Sequence, residues 1–188
     1  SMWYHLGIQT VARNTLAVAN RDRPYQIYES LFYDLLKQCN RYLCGTASKL
    51  PFDNNLYALD STTIDLCLNL FPWARFRKQK GAIKMHTLFD VRTQVPTVIN
   101  ISDGKKADIR AAKAMEECTS LATGSILTID KAYIDYGWLH DLHEAGITFV
   151  VRLKQNANIL RLPHCSPLEK GVLKDERVAF MLPDAQQD

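Results

Sequence analysis

The feature that most constrains this chain is a change of period near Leu56. Upstream, Tyr28, Leu31, Phe32, Leu35, Leu36 and Cys39 recur at three- and four-residue steps, a wide apolar stripe on one face of a helix. Pro24 suits the first turn of that helix, where its missing N–H is not needed. A shorter helix is predicted before it, over 15–20. Gly45 to Asn55 is rich in Gly, Ser, Pro, Asp and Asn and reads as a loop. Downstream, the apolar runs are strand-sized. Leu56-Tyr57-Ala58-Leu59 ends in Asp60, and Ile64, Leu66, Leu68 and Leu70 then alternate with other residues.

The remaining order follows from the same signals. Ala82 to Phe89 and Val95 to Ile101 read as two strands of a hairpin joined by Asp90-Val91-Arg92-Thr93-Gln94. Ala107 to Ala122 reads as a helix, with Gly124 just past its end. Ser125 to Ile129 is a second apolar strand closed by an acid, Asp130. A helix runs from Asp135, a good N-cap, to Gly146, and Ile147 to Leu153 forms a further strand. Three sequential antiparallel strands followed by αβαβ make a mixed sheet with helices on its faces, preceded by N-terminal helices. The class is α/β, and this element order is that of the ribonuclease-H-like fold.

Composition narrows the function classes. An apolar share of 47% with 23% charged residues supports a packed core and excludes wholesale disorder. The net charge of +3 is too mild to point to nucleic acid by itself, so the clustering of charge matters more than the total. The five cysteines form no CxxC pair and read as buried, reduced thiols of a cytosolic protein. No stretch reaches the ~20 apolar residues of a membrane-spanning helix. The first residues lack the basic and apolar regions of a signal peptide, and Ser1 before Met2 reads as a tag remnant. The absence of a Gly-rich phosphate loop argues against a nucleotide-hydrolysing motor.

Two aspartates stand out by position. In open α/β sheets the functional crevice lies at the carboxyl ends of strands, where Asp60 and Asp130 are expected. If their strands are neighbours, the two ends lie ~4.8 Å apart. Carboxylates that close repel unless a cation joins them. An oxygen-rich site suits Mg2+ or Mn2+, and metals ~3.5–4 Å apart promote in-line attack at phosphorus. Spacing alone favours an ordinary role, since Asp at a strand end usually starts a turn or caps the next helix.

Arg75, Arg77, Lys78, Lys80 and Lys84 form a run of cations without an acid, with Trp73 and Phe76 close by. This segment reads either as an edge that tracks phosphates or as a solvated hairpin edge. Arg152 and Lys154 end the last clear strand and could reach the same side. His140 and His143 lie one turn apart without the glutamate of a zinc-protease pattern, so surface or structural roles are favoured for them. A packing role is favoured for His86, and likewise for Tyr133 and Tyr136 over stacking on DNA.

The residues around the two aspartates add a resemblance. Asp60-Ser61-Thr62-Thr63 and Asp130-Lys131-Ala132-Tyr133-Ile134-Asp135 resemble the first and second catalytic-aspartate blocks of bacterial insertion-sequence transposases with a DDE triad. The closer match is the group founded on insertion sequence four. Lys80-Gly81-Ala82-Ile83-Lys84-Met85-His86 and Pro96-Thr97-Val98 resemble that group's linking hairpin. Asp103-Gly104-Lys105-Lys106-Ala107-Asp108 resembles its loop before the intervening helix, and Arg13 to Asn20 a preceding helical block. The resemblance implies DNA cleavage by metal-activated water to leave a 3′ hydroxyl, then attack of that hydroxyl on target DNA. It implies Asp60 and Asp130 as catalytic residues and metal ligands, with Mg2+ or Mn2+ as cofactor. Lys131, Arg152, Lys154 and the segment holding Arg75, Arg77, Lys78, Lys80 and Lys84 would hold double-stranded DNA, both transposon ends and target. A cytoplasmic, nucleoid-associated bacterial protein, homodimeric at full length, is implied as well.

The departures are as informative. The family's third block, Tyr-x-x-Arg-x-x-x-Glu, does not occur here. Glu144, Glu169 and Glu176 are the downstream glutamates. Glu169 is spaced from Asp130 as in compact integrases, but its Ser-Pro-Leu-Glu-Lys-Gly setting is loop-like. Ala107 replaces the usual histidine before Asp108, and Lys131 replaces the usual arginine after the second aspartate, keeping a charge without the bidentate fork. The expected organisation is a helical segment over 1–50, an incomplete ribonuclease-H-like catalytic core over 51–158, and the start of a β-rich insertion over 159–188. Three functions compete: a transposase fragment lacking its third carboxylate, a non-catalytic remnant that only binds DNA, and a metal-dependent nuclease using Asp65 or Asp108 as its further acid.

Overall fold

The computed structural model describes residues 10–43, 50–67, 75–77, 80–157, 159–163, 170–172 and 175–180. The chain divides into two compact units, Ser1–Thr46 and Ala47–Asp188. In the first, helix α1 spans Arg13–Asp22 and α2 spans Gln26–Leu43. The apolar stripe of α2 forms as its period predicts, but only Leu36 is buried, and Tyr28, Leu31 and Leu35 are exposed within this unit.

The second unit is built on a mixed sheet of six strands. They are β1 (Leu56–Leu66), β2 (Arg75–Arg77), β3 (Lys80–Asp90), β4 (Val95–Asp103), β5 (Ile126–Ile129) and β6 (Thr148–Val151). Strands run in the order β2-β3-β1-β5-β6, with β4 also paired to β3. The pairings β1–β3 and β3–β4 are antiparallel, whereas β1–β5 and β5–β6 are parallel. This is the ribonuclease-H-like arrangement. A separate two-stranded antiparallel sheet pairs β7 (Ile159–Leu162) with β8 (Arg177–Phe180).

Alternation along the strands decides which face is covered. Tyr57, Leu59 and Ser61 of β1 share a face with Leu88 and His86 of β3, Leu127 and Ile129 of β5, and Phe149 and Val151 of β6. That face meets α3 (Asp108–Lys113), α4 (Glu116–Thr119) and α5 (Tyr136–Glu144). The core there is Leu59, Leu88, Met115, Cys118, Leu127, Tyr133, Trp138, Leu139, Leu142 and Ile147. The other face carries Asp60, Thr62, Ile64, Ile101, Thr128, Thr148 and Val150, all exposed.

Several expected elements changed shape. The helix over 107–122 is two short ones, because Met115 leaves helical backbone (φ −94°, ψ 93°) and buries its side chain. The strand expected to end at Asp60 continues to Leu66. The Ser-Thr-Thr that interrupts its apolar run includes two β-branched threonines, which suit a strand. Gly146 takes φ +72° at the end of α5, and Asp135 caps its start by accepting from the Trp138 N–H at 3.0 Å. Cys118 is buried, as expected, whereas Cys39 and Cys67 are exposed. Among the described residues no helix is long and apolar enough to cross a membrane.

Candidate active site

Parallel pairing of β1 with β5 ends at Leu59↔Ile129, and pairing of β5 with β6 ends at Ile129↔Val151. One residue further along each strand stand Asp60, Asp130 and Arg152. They form a row across the sheet at the point where β5 and β6 stop. Asp130 is still extended (φ −77°, ψ 162°), while β1 carries on and pairs Asp60 with Thr87 of β3. Adjacent strand positions are ~4.8 Å apart. At that separation, surface to water-like dielectric constants make two carboxylates repel by about 1–3 kcal/mol.

The Asp130 carboxylate is engaged on both oxygens. Oδ1 accepts from the Ala132 N–H at 2.8 Å, which starts the single 3₁₀ turn Lys131–Tyr133. Oδ2 lies 3.6 Å from an Arg152 guanidinium nitrogen. The ordinary helix-capping role of such an aspartate is therefore real here, and it leaves Oδ2 facing an exposed cation. Lys131, Arg152, Leu153, Lys154, Gln155 and Asn156 line an open pocket of about 730 Å³ beside this carboxylate. The structure thus brings together Lys131, Arg152 and Lys154, three of the cations expected to hold phosphate. Gln155 and Asn156 join them, two amides that sequence reasoning passed over.

The other expected cations distribute differently. Arg75 and Arg77 lie on β2, which pairs with β3 at Arg75↔Gly81, and Lys80 opens β3. Lys78 lies outside the described residues. Lys84 points to the covered face, where its ammonium donates to Asp108 Oδ1 at 3.0 Å and to the Lys106 carbonyl at 3.2 Å. Its side chain is only 16% exposed. A parity signal was available: Lys84 is in step with Ala82, His86 and Leu88, all buried.

Neither acid weighed as a further ligand stands beside Asp60. Asp65 is opposite Ala82 on β3, in the covered-face parity. Asp108 is spent on Ser61, whose hydroxyl donates to its Oδ1 at 2.9 Å, and on Lys84. Glu144 is exposed on α5, Glu176 pairs with Arg161 at 3.1 Å, and Glu169 lies outside the described residues. His140 and His143 are exposed. Among the described residues no three or more His, Cys, Asp or Glu side chains gather into a metal-binding group. A pair of carboxylates still fits a hard cation, because magnesium is commonly held through one or two carboxylates plus water and phosphate oxygens.

Tyr133 and His86 prove to be interior residues. Burial raises the Tyr133 phenol well above its ordinary range; a contact with Ser61, short of hydrogen-bond geometry, opposes the rise, and the charges of Asp108 and Asp60 add to it. Burial lowers the His86 imidazole, with Asp108 opposing and Lys84 and Lys106 reinforcing.

Residues 51–185 match the model of the transposase DDE domain. The chain belongs to that family. Two curated relatives are transposases by name. One, for insertion sequence element IS5377 of Geobacillus stearothermophilus, is 26% identical over 153 residues, or 81% of this chain and 38% of the relative. The other, y4zB of Sinorhizobium fredii, is 28% identical over 144 residues, or 77% of this chain and 38% of the relative. The chain thus aligns with well under half the length of either relative.

Proposed function

We propose that this chain acts in DNA transposition as part of a DDE catalytic domain, by metal-dependent phosphodiester hydrolysis followed by strand transfer. The observation that carries the reading is the side-by-side placement of Asp60 and Asp130 on adjacent parallel strands, flanked by a cationic pocket. Asp60 and Asp130 are two of the three carboxylates of the triad and hold Mg2+ or Mn2+ on the open face of the sheet. The bound metals supply activation of the attacking oxygen and stabilisation of the leaving one. Lys131, Arg152 and Lys154 bind the phosphates of double-stranded DNA next to the acids, and Arg75, Arg77, Lys78 and Lys80 extend that contact. Lys84 is assigned to the interior network instead. Residues 51–158 form the core of the domain and 159–188 begin a β-rich insertion. The longer protein works in the bacterial cytoplasm on nucleoid DNA, as a homodimer.

Placement of Asp65 in the covered-face parity of β1, and engagement of Asp108 by Ser61 and Lys84, disfavour a self-contained nuclease built on either acid. A remnant that only binds DNA is separated from the main reading by metal binding. Titration calorimetry of Mn2+ into the 188-residue chain is expected to show binding that Asp60→Ala abolishes. Salt-dependent binding of duplex DNA without any Mn2+ binding would instead identify the remnant.

A further inference from the structure

On the covered side of the sheet, beneath the two aspartates, a polar cluster interrupts an otherwise apolar core. Ser61, the neighbour of Asp60, turns to this side and donates to Asp108 Oδ1 at 2.9 Å. The same oxygen accepts from Lys84 at 3.0 Å. His86, wholly buried and opposite Ser61 across β1–β3, lies with Nε2 2.9 Å from Ser102 Oγ. Its Nδ1 is 4.0 Å from Asp108 Oδ1 and has no hydrogen-bond partner. Tyr133, 1% exposed, enters from the turn that Asp130 starts, and its buried hydroxyl also lacks a partner.

The cluster therefore gathers β1, β3, β4, the first residue of α3 and the turn after β5. Its members touch the neighbour of Asp60 on one side and belong to the turn of Asp130 on the other. An apolar plug of similar volume would pack this space without the cost of desolvating two charges. Directed bonds do what such a plug does not: they fix the rotation and height of β1 at Ser61, and so the point from which the Asp60 side chain leaves.

We propose that Asp108 is a positioning residue which, acting through Ser61 and braced by Tyr133, holds Asp60 at a metal-bridging distance from Asp130. This rests on the metal-binding reading above. Two like charges side by side push their strands apart, and the polar cluster is the part of the framework placed to resist that push before a cation arrives. Asp108 itself touches neither metal nor DNA.

The test is Mn2+ affinity of the full 188-residue chain, read by titration calorimetry beside thermal unfolding. Removing an outer partner of a metal ligand commonly weakens affinity by 10–100-fold. Ser61→Ala and Asp108→Asn are expected to weaken Mn2+ binding by about tenfold, the lower end of that range. Ser61→Ala leaves the Lys84–Asp108 pair in place, so it guards against a simple folding failure of the Asp108 variant. Ser61→Thr, which keeps the hydroxyl, is expected to restore affinity. Leu142→Ala, a core truncation, is expected to lower the melting temperature while leaving Mn2+ affinity unchanged. Wild-type binding with Ser61→Ala and Asp108→Asn within twofold of it overturns the role of Asp108 and leaves the metal site standing. Absence of Mn2+ binding by the wild-type chain overturns both.

Discussion

The two faces of the central sheet are made from alternate residues of the same strands, yet they obey different rules. The covered face holds Leu59, Leu88, Leu127 and Ile129, each at most 6% exposed, and bonds from Ser61 and Lys84 to Asp108 and between His86 and Ser102 link β1, β3, β4 and α3 there. The open face presents Asp60, Thr62, Thr128 and Val150 to solvent. The buried core lies on the first face and the proposed chemistry on the second, one residue away along the chain. A strand of the ribonuclease-H-like fold can therefore carry a carboxylate without weakening its core, because parity insulates the two.

The sharpest way to break that contrast is a pair of substitutions on opposite faces. Leu127→Ala is expected to cost about 2–5 kcal/mol in unfolding free energy, from lost burial and the cavity left behind. Urea denaturation checks this, and Mn2+ affinity should survive wherever the variant is folded. Asp60→Ala is expected to do the reverse: loss of Mn2+ binding with a stability change within about 0.5 kcal/mol, as for an exposed site. An Asp60 variant that melts like Leu127→Ala would show that the faces are not independent.

How much of this contrast could be read from the sequence depends on separation along the chain. Strands β1, β3, β4, β5 and β6, the hairpin over Ala82 to Ile101, the cap at Asp135 and the positions of the two aspartates beside each other were legible, because each is a local pattern of a few residues. Strand β2, by contrast, lies in what reads as a basic loop. Asp60 was misjudged only in lying within a strand instead of ending one. The cluster beneath it was not legible: Ser61 and Asp108 are 47 positions apart, and Lys84 and Asp108 are 24 apart. Such pairs arise from sheet register and the crossover to α3, which no local pattern encodes. Lys84 shows the limit well. Composition groups it with Arg75 to Lys80, while strand parity sends it to the interior.

The cationic pocket supplies the next effect in size. Each phosphate neutralised contributes about 0.9 to the slope of log affinity against log salt. Lys154→Ala is expected to lower affinity for duplex DNA and reduce that slope by about one, in fluorescence anisotropy at several salt concentrations. An equal change from a substitution at Lys113, which pairs with Asp135 at 2.9 Å on the covered side, would remove the pocket's special place.

Acid sensitivity is expected from groups on the covered side. His86 is held below its ordinary value of 6.5 by burial, so below pH 6.5 the unfolded chain takes up a proton that the folded chain refuses. Stability is then constant above that pH and falls as the pH drops beneath it, by at most about 1.4 kcal/mol per pH unit for one proton. Asp135 is lowered from 3.8 by its bonds to the Trp138 N–H and Lys113, and its contribution, present above that value, is lost only at more acid pH. Melting temperatures between pH 7 and 5 should decline in the wild type and less so in His86→Gln. A flat wild-type profile would contradict the buried neutral imidazole.

The smallest expected effect joins the two functions proposed for the open face. Arg152 and Asp130 are 3.6 Å apart with side chains 74% and 41% exposed, a pair contributing at most about 1 kcal/mol to stability. Yet Arg152 stands over the one Asp130 oxygen that no backbone N–H holds, where a metal ion would have to bind. Its removal is expected to move two affinities in opposite directions. Arg152→Ala should strengthen Mn2+ binding by about two- to threefold, as a nearby like charge is withdrawn from the cation's place. The same variant should weaken DNA binding and lower the salt slope by about one. Calorimetry and anisotropy on one protein sample measure both. Loss of both affinities together would mean that Arg152 orders Asp130 and does not compete for it, and the open face would then rely on ion pairing for its geometry as the covered face does.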